Sequence, residues 1–200
     1  MLLKLYSGNP NEKIISQIIE HLRNDGVIIY PTDSMYAFAC SLKSSKAVEK
    51  IKDIKFKQTN NFSLCCDSLS RVAEYVRINN DAFAMLKTNL PGAFTFILKA
   101  SSKVPDKALR KRKTIGVRIP DNDIARAIVE ALDAPLLTTS IPLEEDVEYS
   151  TDPELIFEKY GQSVAVVVDG GIADGGLTTV VDFSEDEWEI VREGKAELKY

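Results

Sequence analysis

The fold of this chain is decided by residues 27–40, which read Val-Ile-Ile-Tyr-Pro-Thr-Asp-Ser-Met-Tyr-Ala-Phe-Ala-Cys. The apolar run at 27–30 is typical of a buried strand, and Pro31 ends it because proline lacks a backbone donor. Four hydrogen-bonding side chains then follow within five positions, namely Thr32, Asp33, Ser34 and Tyr36. Ligands of α/β sheets bind beyond the carboxyl ends of strands, so these side chains form a candidate site. A turn in which they serve only as caps is the alternative.

Composition places the chain among ordinary globular proteins. Two hundred residues suit one domain or two small ones, and 44% hydrophobic with 28% charged residues is a typical balance. No apolar run approaches the roughly 18 residues that span a bilayer, and the N-terminus lacks the layout of a signal peptide. We therefore expect no membrane association and a cytoplasmic location. The net charge of −5 argues weakly against general nucleic-acid binding, although a local basic patch can override it.

Several reaction mechanisms are excluded by residue type. The one histidine, His21, falls within a predicted amphipathic helix, so Ser-His-Asp and Cys-His arrangements cannot be built. The three cysteines, Cys40, Cys65 and Cys66, form neither a disulfide framework nor a zinc-ligand pattern. No phosphate-binding loop or dinucleotide fingerprint is present. The sequence therefore predicts no resident metal and no covalent nucleophile with a histidine base.

Helical and strand patterns alternate over the first two thirds of the chain, and strands dominate the end. The predicted helices are 12–24, 44–54, 68–76, 80–89, 121–132 (capped by Asp121) and 153–160 (capped by Asp152). The predicted strands are 27–30, 62–66, 93–99, 114–119, 135–139, 164–168, 178–182 and 188–192. Residues 141–151 are predicted to be a long mobile loop, and the glycine-rich stretch 169–176 a flexible turn between two strands. The pattern predicts an α/β fold with a mixed sheet.

Basic residues stand at the ends of predicted elements. Lys52, Lys55 and Lys57 follow the second helix, and six more crowd residues 103–113. Arg118 and Arg192 lie near the ends of strand patterns, where an arginine must be exposed, paired or directed at a ligand. A solvated surface is one interpretation of these charges. The other is an anionic partner such as phosphate, carboxylate or an RNA backbone.

Seven short motifs, in this order and spacing, resemble the YrdC/YciO family, and within it the YciO branch. They are Tyr-Pro-Thr-Asp-Ser-Met-Tyr (30–36), Asn-Phe-Ser-Leu-Cys-Cys (61–66), Pro-Gly-Ala-Phe-Thr-Phe-Ile-Leu-Lys (91–99), Lys-Arg-Lys-Thr-Ile-Gly-Val-Arg-Ile-Pro (111–120), Thr-Thr-Ser (138–140), Thr-Thr-Val-Val-Asp (178–182) and Val-Arg-Glu-Gly (191–194). The resemblance implies one domain over residues 1–200, with a core at about 10–195. It also implies a twisted mixed sheet that encloses a large, positively lined cavity.

The resemblance further implies a nucleotidyltransferase that makes threonylcarbamoyl-AMP from ATP with Mg²⁺, L-threonine and bicarbonate, for the t6A modification of tRNA. Residue by residue, it places Thr32, Ser34, Tyr36 and Arg118 around the amino acid and carbamate. Nucleotide and phosphates (ATP or AMP) are assigned to Lys55, Lys57, Thr139, Ser140 and Arg192. Thr32, Lys55 and Arg118 are the expected catalytic residues.

Two positions depart from the pattern of the synthases. Lys57 stands where they carry arginine, which removes a bidentate fork, and Pro142 stands where they carry asparagine. These changes predict weak or altered activity. Three functions therefore stay open: a synthase-like enzyme, a binding protein for double-stranded RNA or tRNA, and a protein that hydrolyses the adenylate or merely holds the nucleotide.

Overall fold

A computed structural model describes residues 1–55, 61–109, 111–142, 148–185 and 187–200. Within these ranges the chain forms eight helices and eleven strands. The helices are α1 (Glu12–Arg23), α2 (Ser45–Ile54), α3 (Leu69–Tyr75), α4 (Asn80–Asn89), α5 (Asp106–Leu109), α6 (Asp123–Leu132), α7 (Glu148–Thr151) and α8 (Pro153–Tyr160). The strands are β1 (Leu2–Lys4), β2 (Ile28–Tyr30), β3 (Ala37–Ser41), β4 (Ser63–Cys65), β5 (Val76–Arg77), β6 (Phe94–Ala100), β7 (Thr114–Arg118), β8 (Leu136–Ser140), β9 (Val166–Asp169), β10 (Thr179–Asp182) and β11 (Glu189–Arg192).

The strands form a single mixed sheet. Its order is β1-β9-β2-β3-β8-β4-β7-β6-β10-β11, with β5 paired to β6 off this path. The pairs β1–β9, β2–β9, β4–β7 and β6–β10 are parallel, and the other pairs are antiparallel. Helices flank this sheet, so the predicted fold class is confirmed. Among the described residues, no helix has the length and apolar character needed to cross a membrane.

Apolar side chains cover the sheet in two clusters. Alternate residues of a strand point to opposite faces, so Ile28 and Tyr30 belong to one cluster while Val27 and Ile29 belong to the other. The first cluster is closed by the buried faces of α1 and α6. The second is closed by residues of α2, α3, α4 and α8. With its apolar faces fixed in this way, the sheet holds its polar strand ends in defined positions.

Three predictions about local structure are corrected. The helix predicted from Asp121 begins instead at Asp123, where the Asn122 side chain accepts the N–H of Ala125. The stretch 169–176 is not a turn between neighbouring strands, because β9 pairs with β1 and β2 whereas β10 pairs with β6 and β11. It is a crossover from one part of the sheet to another.

The third correction concerns residues 141–151, which were predicted to be one mobile loop. Residues 148–151 form α7, and Ser150 of that helix donates to the carbonyl oxygen of Pro142 at 3.2 Å. Residues 143–147 lie outside the described residues.

Candidate functional site

A cavity of about 840 Å³ lies against one part of the sheet, the strands β8, β4, β7, β6, β10 and β11 in their spatial order. Its described lining consists mainly of hydroxyl, apolar and cationic side chains, together with Asn61 and Gly116. The hydroxyl groups come from Ser63, Thr95, Thr114, Thr138, Thr139, Ser140 and Thr178, the apolar groups from Phe62, Ile97, Ala108, Leu109, Ile115 and Val180, and the cations from Lys55, Arg112, Arg118 and Arg192. One carboxylate, Asp182, is among the described lining residues. The described lining thus carries four cations and one anion, a balance that favours the binding of anions.

The sheet supplies the floor of the cavity through residues that are cross-strand partners. Ser63 pairs with Gly116, Gly116 with Ile97, and Ile97 with Asp182, so one row crosses β4, β7, β6 and β10. A side chain at Gly116 would crowd this row, since a Cβ there would lie 2.7 Å from the Ser63 Oγ and 2.8 Å from the Thr95 Cγ2. The missing side chain of Gly116 therefore keeps the floor open.

Arg118 ends β7 with its guanidinium held deep in the protein. Its Nη2 donates to the Asp33 Oδ1 at 2.7 Å and to the Ser34 Oγ at 3.2 Å. Both side chains of the Arg118–Asp33 ion pair are only 8% exposed. The Nε of Arg118 is buried with no hydrogen-bond partner among the described residues. A buried donor without a partner is costly, so Arg118 is held in this position at the expense of stability.

Arg192 reaches the same cavity from β11. Its Nε and Nη2 donate to the carbonyl oxygen of Thr178 at 3.1 Å and 2.8 Å, and Nη2 also donates to the Thr178 Oγ1 at 3.0 Å. Burial lowers the pKa of Arg192, and the charge of Arg118 lowers it further. The two guanidinium groups thus repel each other across the cavity, and an anion between them would remove that repulsion.

Lys55 follows α2 and brings a second buried cation, after Arg118. Its Nζ donates to the Thr139 Oγ1 at 3.0 Å and to the carbonyl oxygen of Ser140 at 2.9 Å. Burial lowers the pKa of Lys55. Within the described part of the chain, no carboxylate forms an ion pair with this ammonium, so its charge is compensated only by neutral oxygens.

The polar side chains that follow β2, from Thr32 to Tyr36, are turned partly away from the large cavity. The Thr32 hydroxyl donates to the carbonyl oxygen of Met35 at 2.6 Å and accepts the Ser34 N–H at 3.1 Å. Thr32 lines a second recess of about 380 Å³, together with Asp33 and Lys195. The hydroxyls of Thr32 and Ser34 lie 3.0 Å apart, and Ser34 in turn contacts Arg118. The Arg118–Asp33 ion pair and this hydroxyl chain therefore separate the two spaces.

Tyr36 fastens the crossover loop to the sheet. Its hydroxyl donates to the carbonyl oxygen of Gly171 at 2.7 Å and accepts the Gly170 N–H at 3.0 Å, and burial raises its pKa. A Cβ at Gly170 would lie 2.6 Å from the Cγ of Pro31, so the loop approaches the end of β2 closely. Tyr36 is absent from the described lining of both spaces, and its contacts are those of a structural residue.

The predicted site residues are therefore brought together only in part. Five of them line the large cavity, namely Lys55, Arg118, Thr139, Ser140 and Arg192. Thr32 lines the second recess, Ser34 touches Arg118, and Tyr36 touches the crossover loop. Lys57 lies outside the described residues. In the described residues, no group of three or more His, Cys, Asp or Glu side chains could hold a metal ion.

Other lining residues were missing from the prediction. Gly116 carries a signal, because a glycine inside a strand pattern often marks a close approach. Thr178 lies in a quoted motif, but its position beside Arg192 depends on the pairing of β10 with β11. Asn61 and Arg112 meet across the chain, 51 residues apart in sequence, and no local pattern links them.

The chain as a whole matches a known family of proteins, both in sequence and in fold. Residues 20–194 match the model of the Sua5/YciO/YrdC family, which carries the description "Telomere recombination". The chain belongs to this family. The YciO protein of Escherichia coli K12, described as uncharacterized, is 41% identical over 197 residues, covering 98% of this chain and 96% of that protein. Its crystal structure superposes with a TM-score of 0.91 over 98% of this chain and 97% of that chain, at 40% identity.

More distant relatives carry a named activity. Human threonylcarbamoyl-AMP synthase is 27% identical over 187 residues, which cover 89% of this chain and 66% of that protein. The crystal structure of P. abyssi Sua5 complexed with L-threonine has a TM-score of 0.86 at 22% identity, and covers 97% of this chain and 57% of that chain. At that identity the likeness shows a shared fold.

Proposed function

We propose that this protein is a nucleotide-binding enzyme that makes threonylcarbamoyl-AMP, or a closely related acyl-adenylate, from ATP, L-threonine and bicarbonate. One observation carries the proposal: Lys55, Arg118 and Arg192 line one cavity, and the buried Nε of Arg118 has no partner among the described residues. Relatives that are threonylcarbamoyl-AMP synthases, and a structural neighbour complexed with L-threonine, support the same choice of substrates.

The proposed reaction suits a site without a histidine base. The threonine amine adds to carbon dioxide derived from bicarbonate and gives a carbamate. A carbamate oxygen then attacks the α-phosphorus of ATP, the bond from that phosphorus to the bridging oxygen breaks, and pyrophosphate leaves with the electron pair. Mg²⁺ enters with ATP as part of the substrate. Positioning and charge neutralisation are the main requirements of such a transfer.

The residues of the cavity divide this work by position. Arg118 and Arg192 line the same cavity, so they are suited to hold the α-phosphate or the carboxylate of the amino acid. Lys55 and the hydroxyls of Thr139 and Ser140 supply further donors to phosphate oxygens. The Thr32–Ser34 hydroxyl chain adjoins Arg118, so the amino acid would lie on that side of the cavity.

A direct test is incubation of the purified protein with ATP, Mg²⁺, threonine and bicarbonate, followed by mass spectrometry for the adenylate and pyrophosphate. Isothermal titration calorimetry with ATP and with AMP tests the binding step alone. The proposal fails if neither nucleotide binds at millimolar concentration. Binding without product would point instead to a protein that holds or hydrolyses the adenylate. These two functions are distinguished by adding threonylcarbamoyl-AMP, since only a hydrolase would speed its disappearance.

Binding of double-stranded RNA or tRNA stays a prediction of the basic run at 103–113. One charge of that run is already neutralised, because the Nζ of Lys103 lies 2.8 Å from Glu74 Oε2. An RNA-binding function requires affinity that falls steeply with salt, in proportion to the phosphates neutralised. Filter binding over a salt series measures this slope.

A further inference from the structure

A second cationic group stands at the end of the cavity away from Arg118. Arg112 lines the cavity just before β7, and its Nη1 donates to the Asn61 Oδ1 at 3.0 Å. Thr114 and Arg118 bound β7 and are four residues apart, which at about 3.3 Å per residue separates them by about 13 Å. Arg112 precedes Thr114, so Arg112 and Arg118 mark opposite ends of the cavity.

The local backbone turns Arg112 toward this end of the cavity. Lys111 has a φ of 68°, a left-handed conformation that residues with a Cβ adopt at a cost. The N–H of Arg112 donates to the carbonyl oxygen of Leu109, the last residue of α5, at 2.9 Å. The resulting contact with Asn61 is to a neutral amide. Across the described ranges of the chain, no carboxylate forms an ion pair with Arg112.

Lys55 lies at the same end. Its ammonium contacts the carbonyl oxygen of Ser140 at 2.9 Å. Strands β4 and β8 are antiparallel, with Ser63 opposite Thr138, so continuing the register by two residues carries Asn61 toward Ser140. Lys55 and Arg112 therefore flank one part of the cavity, through Ser140 and Asn61 respectively. Arg118 and Arg192 form the other cation pair, because Arg192 is opposite Val180, Val180 is opposite Thr95, and the register of β6 with β7 carries Thr95 toward Arg118.

We propose that Lys55 and Arg112 form a second anion subsite, which takes the terminal phosphates of a nucleoside triphosphate while Arg118 and Arg192 hold the reacting end. This inference rests on the proposed function, and it adds Arg112 as a residue that selects triphosphates over monophosphates. Negative charge grows on the leaving pyrophosphate as its bond to the α-phosphorus breaks. A guanidinium can donate two parallel hydrogen bonds to such phosphate oxygens.

The test compares Arg112→Gln with the unchanged protein by calorimetry, using ATP, AMP and inorganic triphosphate at fixed Mg²⁺ and ionic strength. We expect ATP and triphosphate to bind about 10- to 100-fold more weakly, the loss typical of one charge-assisted contact, and AMP to change less than about 2-fold. Arg112→Lys should recover part of the loss. Lys113→Gln is the matched control. It also removes one positive charge, at the next position in the sequence, but Lys113 is absent from the described lining of the cavity.

The outcomes separate this inference from the proposed function. Equal losses for ATP and AMP, no loss for ATP, or an equal loss in Lys113→Gln would overturn the triphosphate subsite while leaving nucleotide binding intact. Failure of the unchanged protein to bind ATP and AMP would overturn the proposed function. In that case, the subsite would still be supported if inorganic triphosphate binds and Arg112→Gln weakens this binding. If inorganic triphosphate does not bind either, both the subsite and the proposed function are overturned. Circular dichroism melting of each variant shows whether it is folded.

Discussion

The Arg118–Asp33 ion pair should contribute to stability as a pair, but to ligand binding through the arginine alone. The Arg118 Nη2 and the Asp33 Oδ1 lie 2.7 Å apart, and both side chains are 8% exposed. Removal of one partner from a buried pair costs about 3–5 kcal/mol, because the other charge is left without compensation. We expect Arg118→Met to lose about that much. Asp33→Asn should lose about 1–3 kcal/mol, since Arg118 keeps its contact with Ser34 and can still be hydrated through the cavity.

The double variant, Arg118→Met with Asp33→Asn, shows whether the two charges contribute to stability as a coupled pair or independently. With both charges gone, no uncompensated ion remains, so the loss in the double variant should be smaller than the sum of the single losses by about 2–3 kcal/mol. Urea unfolding followed by circular dichroism measures each free energy. Arg126→Met is the control: Arg126 contacts Asp123 at 2.8 Å on the surface, and its loss should cost less than about 1 kcal/mol.

Calorimetry on the same variants supplies the second half of the prediction. Arg118→Met and the double variant should both bind ATP at least about 10-fold more weakly, because the guanidinium is absent from both. Asp33→Asn should bind ATP as well as the unchanged protein or more tightly, since a competing carboxylate has been removed. Additive stabilities, or equal losses of ATP affinity in Asp33→Asn and Arg118→Met, would refute the assignment of separate roles.

Three further outcomes follow from burial. Burial lowers the pKa of Lys55 below its ordinary 10.5, so the folded protein loses this proton at a lower pH than the unfolded chain does. A rise in pH from the lowered pKa to 10.5 should therefore stabilise the protein relative to Lys55→Met, and it should weaken ATP binding because the ammonium loses its charge. Urea unfolding and calorimetry over this pH range measure the two effects. Gly116→Ala should weaken ATP binding at least about 10-fold and also lower the melting temperature, because its methyl group would crowd Ser63 and Thr95 at the cavity floor; unchanged affinity would show that the ligand binds elsewhere. Burial raises the pKa of Cys40 to about 12 and of Cys65 to about 11, so these thiols and the buried Cys66 should resist iodoacetamide until urea unfolds the protein, as mass spectrometry would show.

Elements with a strong local signal could be predicted from the sequence. Helix α1 follows from its apolar spacing and from Asn11, which caps it as expected. Strand β3 was missed, because the apolar residues at 37–40 continue directly from the Thr32–Tyr36 motif and read as part of it. The short strands β1 and β5 were missed as well, since two or three residues carry too little pattern to recognise.

The candidate site was predictable where a residue type itself limits its surroundings. Arg118 and Lys55 are charges at element ends, and the structure places both in the cavity. Thr32 shows the opposite case: a hydroxyl can satisfy itself locally, and this one donates to the Met35 carbonyl oxygen. Which polar side chains face a cavity depends on sheet order and on loop paths, and these are set by contacts between distant residues.

The charges of the cavity lower the stability of the fold that holds them, and this cost is what an anionic ligand can recover. Lys55 is compensated by neutral oxygens, and Arg192 is held against the charge of Arg118. Burial disfavours the charged form of both groups, although Lys55 is only 8% exposed whereas Arg192 keeps much of its surface in solvent. A ligand that binds only the folded state, present at 100 times its dissociation constant, stabilises that state by about 2.7 kcal/mol. Since the burial of these cations is opposed by their own solvation, the apolar clusters on both sides of the sheet must supply the energy that keeps the cavity charged.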